Sequence, residues 1–388
     1  MTKTDSISYH KEFGGKLAVV SKVEIENRED LSLAYTPGVS EVSKYVAEDV
    51  TRAWEVTGKG NAVAVVTDGS AVLGLGNIGA EAALPVMEGK AVLFKELGGV
   101  DAYPILIKTQ DNQTIIDLVK NIAPGFGGIN LEDIAAPNCF VIEEALQGIG
   151  IPVFHDDQWG TAIVVLAALQ NALEVVDKNF TKVKVVVSGA GAAGMSISKL
   201  LLRRGVGDLI LVDSKGIIYD GREGMNEYKR EIADISNFNK LTGAIEDALV
   251  GADVFIGVSK GGIVNKTMIE KMSSKAIVFA MANPDPEIMP EEARLGGAFI
   301  VGTGRSDFDN QINNLLAFPG IFKGALSVRA TSITMEMKLA AVEAIAASVT
   351  KPTVNKIVPD PLDKSVTDRV AVAVADAWRE KIESDKKG

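Results

Sequence analysis

The stretch KVKVVVSGAGAAGMSISKLLLRRGVGDLILVD, residues 182–213, begins with a run of apolar, β-branched residues that predicts a buried strand. Three glycines follow in the pattern G-x-G-x-x-G, and a helical pattern then ends at Gly205. A second apolar run ends on Asp213, 19 residues after Gly194. Glycines at such a turn let backbone N–H groups approach a pyrophosphate at a helix N-terminus. The stretch therefore predicts a dinucleotide-binding βαβ unit.

The acid at the end of the second strand bears on the choice of cofactor. A carboxylate at Asp213 is expected to accept hydrogen bonds from ribose hydroxyls and to repel a 2′-phosphate, which favours NAD. Lys215 and Arg222 lie nearby in the sequence and keep NADP possible. The predicted cofactor residues are Gly189, Ala190, Gly191, Ala192, Ala193, Gly194 and Asp213.

A second G-x-G-x-x-G motif lies earlier, in VLGLGNIGAEAALPVMEGK, residues 72–90. Pro85 is expected to interrupt the helix that follows this motif, and no strand ending in an acid comes at the right distance. We therefore do not assign the nucleotide to this loop. Its glycines are expected to allow another close backbone approach, for example of a small anionic substrate.

The whole composition is that of a globular protein and excludes several classes. The 388 residues are 47% hydrophobic and 23% charged, with a net charge of −11 and no long basic run, which argues against a nucleic-acid or membrane-surface partner. The start of the chain is polar and resembles neither a signal nor a transit peptide. The apolar segment TAIVVLAALQNALEVV is expected to be a buried helix. Since Cys139 is the single cysteine, a reducing cytoplasm is the expected compartment.

Two pairs of acids follow predicted strands. Glu132 and Asp133 stand in NLEDIAAP, and Asp156 and Asp157 stand in VFHDDQWGTA. The carboxyl ends of parallel strands meet at one edge of a sheet, so these carboxylates are expected to cluster. An all-oxygen ligand set suits Mg²⁺ or Mn²⁺. The alternative is that Asp157 caps the following helix and that Asp133 is solvated.

Lys90 and Tyr35 are ambiguous from their immediate sequence. Lys90 follows an apolar helical pattern; buried near another cation, it would have a lowered pKa and serve as a base, whereas a solvated lysine is the alternative. Tyr35 precedes a Pro-Gly turn and is by itself either a packing residue or an acid.

Several of these motifs together resemble those of malic enzymes of the short bacterial type. They occur in the family's order between residues 31 and 326: LSLAYTPGV, VLGLGNIGAEAALPVMEGK, INLEDIAAP, VFHDDQWGTA, GAGAAG, MANPDPE and NLLAFPGIFKGAL. The resemblance implies two α/β domains, a divalent metal, a nicotinamide cofactor and a homodimer. With the alternation of strand and helix patterns, it predicts an N-terminal parallel-sheet α/β domain for substrate and metal (1–160), a Rossmann-type doubly wound dinucleotide-binding domain (161–318) and C-terminal helices that pack back on the first domain (319–388).

The resemblance also implies a role for each matching residue. Tyr35 is similar to the family's proton donor, and Lys90 to its general base, which also contacts the substrate. Asp156 is implied to lie beside Lys90. The implied metal ligands are Glu132, Asp133 and Asp157, and the implied substrate amides are Asn283 and Asn314.

One departure from the larger animal-type enzymes concerns the substrate carboxylate. Those enzymes have an arginine just before the first LGLG motif, whereas this chain reads SAVLGLG. We expect amides of the loop at residues 70–79 to hold the carboxylate instead. A homodimer is expected in which the polar N-terminal segment packs on the partner and places Tyr35 in or near the partner's site.

The implied reaction converts L-malate to pyruvate and CO₂ with reduction of NAD or NADP. Oxaloacetate decarboxylation is a further expected activity. The alternatives are a malolactic enzyme that releases lactate, an amino-acid dehydrogenase, and a catalytically silent NAD-binding regulator. The acidic cluster argues against the second, and the full set of matching residues argues against the third.

Overall fold

The computed structural model describes residues 3–386. Four helices precede the first strand: α1 (Lys3–Phe13), α2 (Arg28–Ala34), α3 (Val39–Glu48) and α4 (Ala53–Val56). The side chain of Asn27 caps α2, because its oxygen accepts hydrogen bonds from the backbone N–H groups of Glu29 and Asp30. No residue of α2 or α3 is buried. This end of the chain therefore adds little to the core.

The first sheet has four parallel strands in the order β2-β1-β3-β4. The strands are β1 (Ala62–Thr67), β2 (Asp101–Leu106), β3 (Gly128–Leu131) and β4 (Val153–His155), and the connecting helices are α5 (Ala80–Gly98), α6 (Asn112–Ile122) and α7 (Asn138–Ala145). Every residue of β1 is buried, as expected for a central strand covered on both faces. The carboxyl ends of the four strands share one edge of the sheet.

A long helix, α8 (Asp156–Val176), begins directly after β4 and packs against later helices. By length and composition it could cross a membrane, but 72% of its most apolar window is buried inside the protein. Such burial is typical of a core helix. No other helix in the described part of the chain meets the same criteria.

The second sheet has six strands in the order β10-β9-β8-β5-β6-β7, of which only the short β7 is antiparallel. The strands are β5 (Lys184–Ser188), β6 (Asp208–Asp213), β7 (Gly216–Ile217), β8 (Val254–Gly257), β9 (Ala276–Ala280) and β10 (Ala298–Thr303). The connecting helices are α9 (Ala192–Arg203), α10 (Glu227–Asp234), α11 (Ile245–Ala248), α12 (Lys266–Ile269) and α13 (Pro290–Leu295). The order reverses at β5, which is the doubly wound pattern.

Three helices complete the chain: α14 (Phe318–Ser327), α15 (Met335–Ala347) and α16 (Lys364–Asp385). Phe318 and Phe322 of α14 pack on Phe94 of α5, with ring centroids 4.7 and 5.4 Å apart. One continuous core includes residues of both sheets and of these helices. The predicted limits of three domains remain a prediction, and the boundary at 160/161 falls within α8.

Two local expectations are wrong. Pro85 does not end a helix, since α5 runs through it from Ala80 to Gly98. A proline inside a helix costs about 3 kcal/mol, and burial of Ala83 and Met87 on the adjacent turns offsets this cost. The spacing of Ser365 and Asp368 in the sequence predicts a capping box at the start of the last helix. Instead, Asp363 caps this helix by accepting a hydrogen bond from the backbone N–H of Ser365.

Candidate active site

The four predicted acids lie together at the edge of the first sheet. Leu131 and His155 are in register, so Glu132 and Asp133 stand beside Asp156 and Asp157. The backbone N–H of Asp133 donates to Oδ2 of Asp157 at 2.7 Å. The alternative of a cap and a solvated acid is wrong, because Asp133 is buried and α8 already begins at Asp156.

Three of these acids fit a divalent cation. One carboxylate oxygen from each of Glu132, Asp133 and Asp157 lies within 4.8 Å of the others. Oδ2 of Asp133 is buried and has no hydrogen-bond partner among the described residues. Burial, together with the charges of Asp157 and Glu132, raises the pKa of Asp133 to about 9. The charges therefore repel one another as the site stands, and a hard cation with oxygen ligands would relieve that repulsion.

Lys90 extends from α5 into this cluster and is itself buried. Its Nζ lies 2.9 Å from Oε1 of Glu132, donates a hydrogen bond to Oδ2 of Asp156, and sits 4.1 Å from the ring centroid of Phe318. Burial alone would lower the pKa of Lys90, but the carboxylates of Asp156 and Glu132 outweigh it and raise the pKa above its ordinary value. The expectation of a solvated lysine is wrong, and so is that of a lowered pKa, because the nearest charges are anions.

Asp156 holds Lys90 in place and is fully buried. Its Oδ2 also accepts a hydrogen bond of 2.6 Å from Nδ2 of Asn314, one of the two predicted substrate amides. A Cβ atom added at Gly160, one helical turn later, would lie 1.8 Å from Oδ1 of Asp156. Gly160 is not among the residues that the sequence predicts for the site, although a glycine four residues after an acid on a predicted helix is a usable signal.

The earlier glycine motif forms a loop between the two sheets. A Cβ atom at Gly74 would lie 1.9 Å from the backbone oxygen of Asn283, the other predicted substrate amide. The loop also contacts the acidic cluster, since the backbone N–H of Ala71 donates a hydrogen bond of 2.9 Å to the backbone oxygen of Asp133. Gly76 and Gly79 have positive φ angles of 75° and 81°. These glycines therefore allow the close approach of another chain segment and a tight turn.

Tyr35 is placed differently from the other predicted residues. It ends α2 in the exposed N-terminal region, and 67% of its surface is accessible. Among the described residues, no hydrogen bond or ring contact joins its side chain to Lys90 or to the acids. Within one chain, the structure does not bring this residue into the cluster.

The later glycine motif forms the predicted turn between β5 and α9. Gly189 has a φ of 113°, and a Cβ atom at Gly194 would lie 1.7 Å from the oxygen of Gly189. A cavity of about 500 Å³ opens at this turn and is bordered by Gly189, Ala190, Asp213, Lys229 and Ser259, among others. Its volume is within the range of cofactor pockets.

Asp213 does not present a free carboxylate to this cavity. Its oxygens accept hydrogen bonds from Arg222 at 2.9 and 2.5 Å, from Nζ of Lys229 at 2.6 Å and from the N–H of Lys215 at 2.9 Å. Burial alone would raise the pKa of Asp213, but the bonds from Arg222 and Lys229 hold it well below its usual range. Arg222 was expected near this end of the cofactor, whereas Lys229 was not, because it arrives from α10.

Comparison with known families gives two matches that together span most of the chain. Residues 14–117 match the family "Malic enzyme, N-terminal domain", and residues 159–378 match "Malic enzyme, NAD binding domain". The first match includes Tyr35 and Lys90, and the second includes the nucleotide turn and Asn314.

Individual relatives agree with these matches. The chain is 58% identical to a bifunctional malic/malolactic enzyme of Bacillus subtilis, over 97% of this chain and 93% of the relative. It is 45% identical to an NADP-dependent malic enzyme of Halomonas elongata, over 96% and 92% of the two chains. A solved NAD-dependent malic enzyme of Thermotoga maritima superposes with a TM-score of 0.93 at 53% identity, over 96% of this chain and 99% of that one. The buried acids beside a lysine, the nucleotide turn and these matches together show that the chain is an enzyme and belongs to the malic enzyme family.

Proposed function

We propose that this enzyme oxidatively decarboxylates L-malate to pyruvate and CO₂ while reducing NAD or NADP, in a reaction that needs a divalent metal. The observation that carries the proposal is the buried cluster of Glu132, Asp133 and Asp157 directly beside Lys90. Such a cluster joins a metal ligand set to a proton-transfer group. The cavity at the nucleotide turn is proposed to bind the cofactor whose nicotinamide accepts the hydride.

The proposed metal ligands are Glu132, Asp133 and Asp157, held by the ends of β3 and the start of α8. A bound Mg²⁺ or Mn²⁺ would act as a Lewis acid that polarises the oxygen at C2 of the substrate. Two of the three proposed ligands, Glu132 and Asp133, are only 4% exposed, whereas Asp157 is partly exposed. Low solvent exposure strengthens every electrostatic interaction there.

Lys90 is proposed to take the proton from the C2 hydroxyl of malate as hydride leaves C2 for the nicotinamide. The anions around Lys90 raise its pKa, and a cation held by Glu132, Asp133 and Asp157 would offset those anions, so that Lys90 can lose its own proton first. Asp156 orients Lys90 through their hydrogen bond, and Asn314 orients Asp156 in turn. Loss of CO₂ from C3 leaves an enolate, and Tyr35 is proposed to protonate its C3 carbon to give pyruvate. Asn283 and amides of the 70–79 loop are proposed to hold the substrate carboxylate, which is consistent with their close packing.

A single assay tests this proposal. Purified enzyme is supplied with L-malate and either NAD or NADP, with Mn²⁺ or with a chelator, and NADH or NADPH, pyruvate and lactate are measured. We expect pyruvate and reduced cofactor in equal amounts, only with the metal. Full turnover in excess chelator would contradict the metal assignment, and no product with either cofactor would contradict the function itself.

Malolactic activity is a second candidate, because the relative at 58% identity is named a bifunctional malic/malolactic enzyme. In that reaction the reduced cofactor stays bound and returns its hydride to pyruvate. Lactate formed without free NADH in the same assay would identify it. Decarboxylation of added oxaloacetate, which skips the oxidation step, is a further proposed activity.

The functional unit is proposed to be a homodimer acting in the cytoplasm. Many large apolar side chains in the first 56 residues are exposed, among them Ile7, Tyr9, Phe13, Val19, Val20, Leu33, Tyr35 and Val50. Exposed apolar surface of this extent is typical of an interface. A second copy of this chain is the proposed partner, since Tyr35 lies on this surface and no proposed catalytic residue lies beside it within the described part of its own chain.

A further inference from the structure

Glu287 is a fully buried carboxylate in the segment after β9, at the end of the MANPDPE motif. Its Oε1 accepts a hydrogen bond of 2.8 Å from the backbone N–H of Ser259, and its Oε2 accepts one of 3.0 Å from the N–H of Ala282. The main influences on its pKa are burial and nearby hydrogen bonds, and none of them is a lysine or an arginine. One unpaired acid thus joins the loop after β8 to the loop after β9.

Both loops border the cofactor cleft. Ser259 lines the cavity at the nucleotide turn, and its Oγ lies 3.1 Å from Oγ of Ser188, the last residue of β5. Ser259 also lines a neighbouring cavity of about 690 Å³ together with Gly74 and Asn283. Ala282 directly precedes Asn283, which lines this second cavity. Glu287 therefore holds the backbone of two segments that border the cleft, at Ser259 and at Ala282.

The chain makes room for this carboxylate. A Cβ atom added at Gly257, the last residue of β8, would lie 2.3 Å from Cδ of Glu287. The backbone oxygen of Glu287 also accepts the N–H of Val264 at 3.0 Å. Both the backbone and the side chain of Glu287 are therefore held by hydrogen bonds from neighbouring loop segments.

The sheet order shows which half of a dinucleotide lies above Glu287. Asp213 is the last residue of β6, which lies on one side of β5, and an acid at that position marks the adenosine ribose. Ser259 and Ala282 follow β8 and β9 on the other side of β5. A dinucleotide that crosses the sheet where the strand order reverses therefore places its nicotinamide half over these two loops.

The charge of Glu287 distinguishes the two redox states of that ring. Burial raises the pKa of Glu287, and the hydrogen bonds from Ser259 and Ala282 oppose the rise. Two N–H donors, one for each oxygen, are the partners that an ionised carboxylate needs. The oxidised nicotinamide carries a positive charge, which it loses when it accepts a hydride, so a buried anion below it attracts only the oxidised form.

We propose that Glu287 is a positioning residue that holds the Ser259 and Ala282 loops under the nicotinamide half, and that its charge favours binding of NAD⁺ over NADH. This inference rests on the proposed use of a nicotinamide cofactor. Because the binding measurement needs neither malate nor metal, it is independent of the assay that tests the reaction. The malate assay can therefore fail while Glu287→Gln still changes cofactor binding. Equally, malate can be turned over while Glu287→Gln leaves cofactor binding unchanged.

Glu287→Gln tests the proposal through the dissociation constants of NAD⁺ and NADH, measured by calorimetry and by NADH fluorescence. We expect NAD⁺ binding to weaken more than NADH binding. The dissociation constant of NAD⁺ divided by that of NADH should therefore rise on the order of tenfold, as a unit charge acting over roughly 10 Å in a protein implies. Glu291→Gln removes one negative charge from the exposed face of α13 and is the matched control. Its ratio should stay at the wild-type value.

Three results would overturn the proposal: unchanged constants in Glu287→Gln, equal weakening of both cofactors, or the same change of ratio in Glu291→Gln. Thermal unfolding and near-UV circular dichroism establish that the variant is folded. If Glu287→Gln does not fold, Glu287→Asp carries the test, because it keeps the charge and shortens the side chain. It should weaken NAD⁺ and NADH alike and leave their ratio unchanged; wild-type affinity for both would contradict the positioning role.

Discussion

At the scale of single residues, the arrangement around Lys90 explains why acids occur in such number at one sheet edge. Glu132 contacts the ammonium group and also belongs to the proposed ligand set. Asp156 also contacts the ammonium group but does not belong to that set. A cation bound by the acids and the cation on Lys90 therefore share one carboxylate. Binding of the proposed metal would therefore be coupled to the proton affinity of Lys90 through Glu132.

The proposed ligand role of Asp157 gives a direct prediction. Asp157→Ala should fold and bind NAD, but its malate turnover should fall at least about a hundredfold, because a catalytic metal contributes several kcal/mol to such a step. Steady-state rates across a Mn²⁺ titration, with NAD binding measured separately, check this. Asp117→Ala on the exposed face of α6 is the control and should behave as wild type. Wild-type turnover of Asp157→Ala at low Mn²⁺ would remove this residue from the ligand set.

Asp213 carries the prediction about cofactor choice. In Asp213→Ala, Arg222 and Lys229 lose their anionic partner and become free to attract a 2′-phosphate. The ratio of kcat/KM for NAD to that for NADP should therefore fall roughly tenfold, the value of one hydrogen bond to a charged group. Arg222→Ala should move the ratio in the opposite direction. A wild-type enzyme that strongly prefers NADP would mean that Arg222, and not Asp213, governs this end of the cofactor.

At this scale the sequence predicts residue types better than their partners. The positions of Asp213 and the four acids follow from strand ends, and their clustering follows from parallel strands. The Lys229 contact does not, because Lys229 lies 16 residues after Asp213 on a helix whose direction depends on packing. The raised pKa of Lys90 was missed for the same reason, since it depends on which charges the fold brings nearest.

At the scale of elements, α15 contains a buried lysine that the proposed mechanism does not use. Lys338 is 8% exposed, and its Nζ lies 3.4 Å from the ring centroid of Trp159 on α8. Trp159 in turn donates a hydrogen bond of 3.0 Å to Oε2 of Glu143. Burial lowers the pKa of Lys338 to about 8, against the opposing effect of Glu143.

The stability of the protein should therefore depend on pH through Lys338. In the unfolded chain a lysine loses its proton near pH 10.4, whereas here it does so near 8, so between these values the unfolded chain holds more protons and stability rises with pH. Below pH 8, Lys338→Met should be more stable than wild type by up to about 3 kcal/mol, and the difference should shrink towards pH 10. Denaturant midpoints of both proteins across this range measure it.

Lys381→Met is the matched control, because Lys381 lies over the ring of Trp378 but is 39% exposed. Its midpoint should follow wild type at every pH. Parallel pH curves for wild type and Lys338→Met would show that Lys338 keeps an ordinary pKa.

The elements themselves were largely predictable, and the exceptions have a common cause. Alternating strand and helix patterns give the two parallel sheets, because continuous apolar runs such as β1 only suit strands covered on both faces. The continuation of α5 through Pro85 was not predictable from local rules. It depends on packing of residues on both sides of Pro85, which is a tertiary effect.

At the scale of the whole molecule, the isolated Tyr35 predicts an exchange between two chains. If the Tyr35 of one chain serves the Lys90 of the other, mixing inactive Tyr35→Phe with inactive Lys90→Ala gives heterodimers in which one of the two sites has both residues. Activity should then reappear after subunit exchange. The measurement is malate oxidation before and after mixing, with exchange followed by a size or fluorescence label.

A second mixture provides the control. Lys90 and Asp157 belong to one cluster within a single chain, so Lys90→Ala mixed with Asp157→Ala should recover no activity. Demonstrated exchange without recovery in the first mixture would show that each site is complete within one chain.

The helix α8 has a consequence for how this enzyme can be altered. Its 21 residues form a rod of about 31 Å that begins with Asp156 beside Lys90. The rod ends beside the second sheet, where Lys275 donates a hydrogen bond to the backbone oxygen of Val176. The match to the NAD-binding family begins at residue 159, near the start of this helix, which makes it an obvious place to recombine genes for NAD- and NADP-using relatives. The helix contributes many buried residues to the core between Ala162 and Ala172. A crossover inside the helix would combine core residues from two parents that do not pack together in either of them. The junction of a chimaera should therefore lie after Val176. All of α8 then comes from the same parent as Lys90, and only the contacts between α8 and the second half of the chain need to be re-optimised.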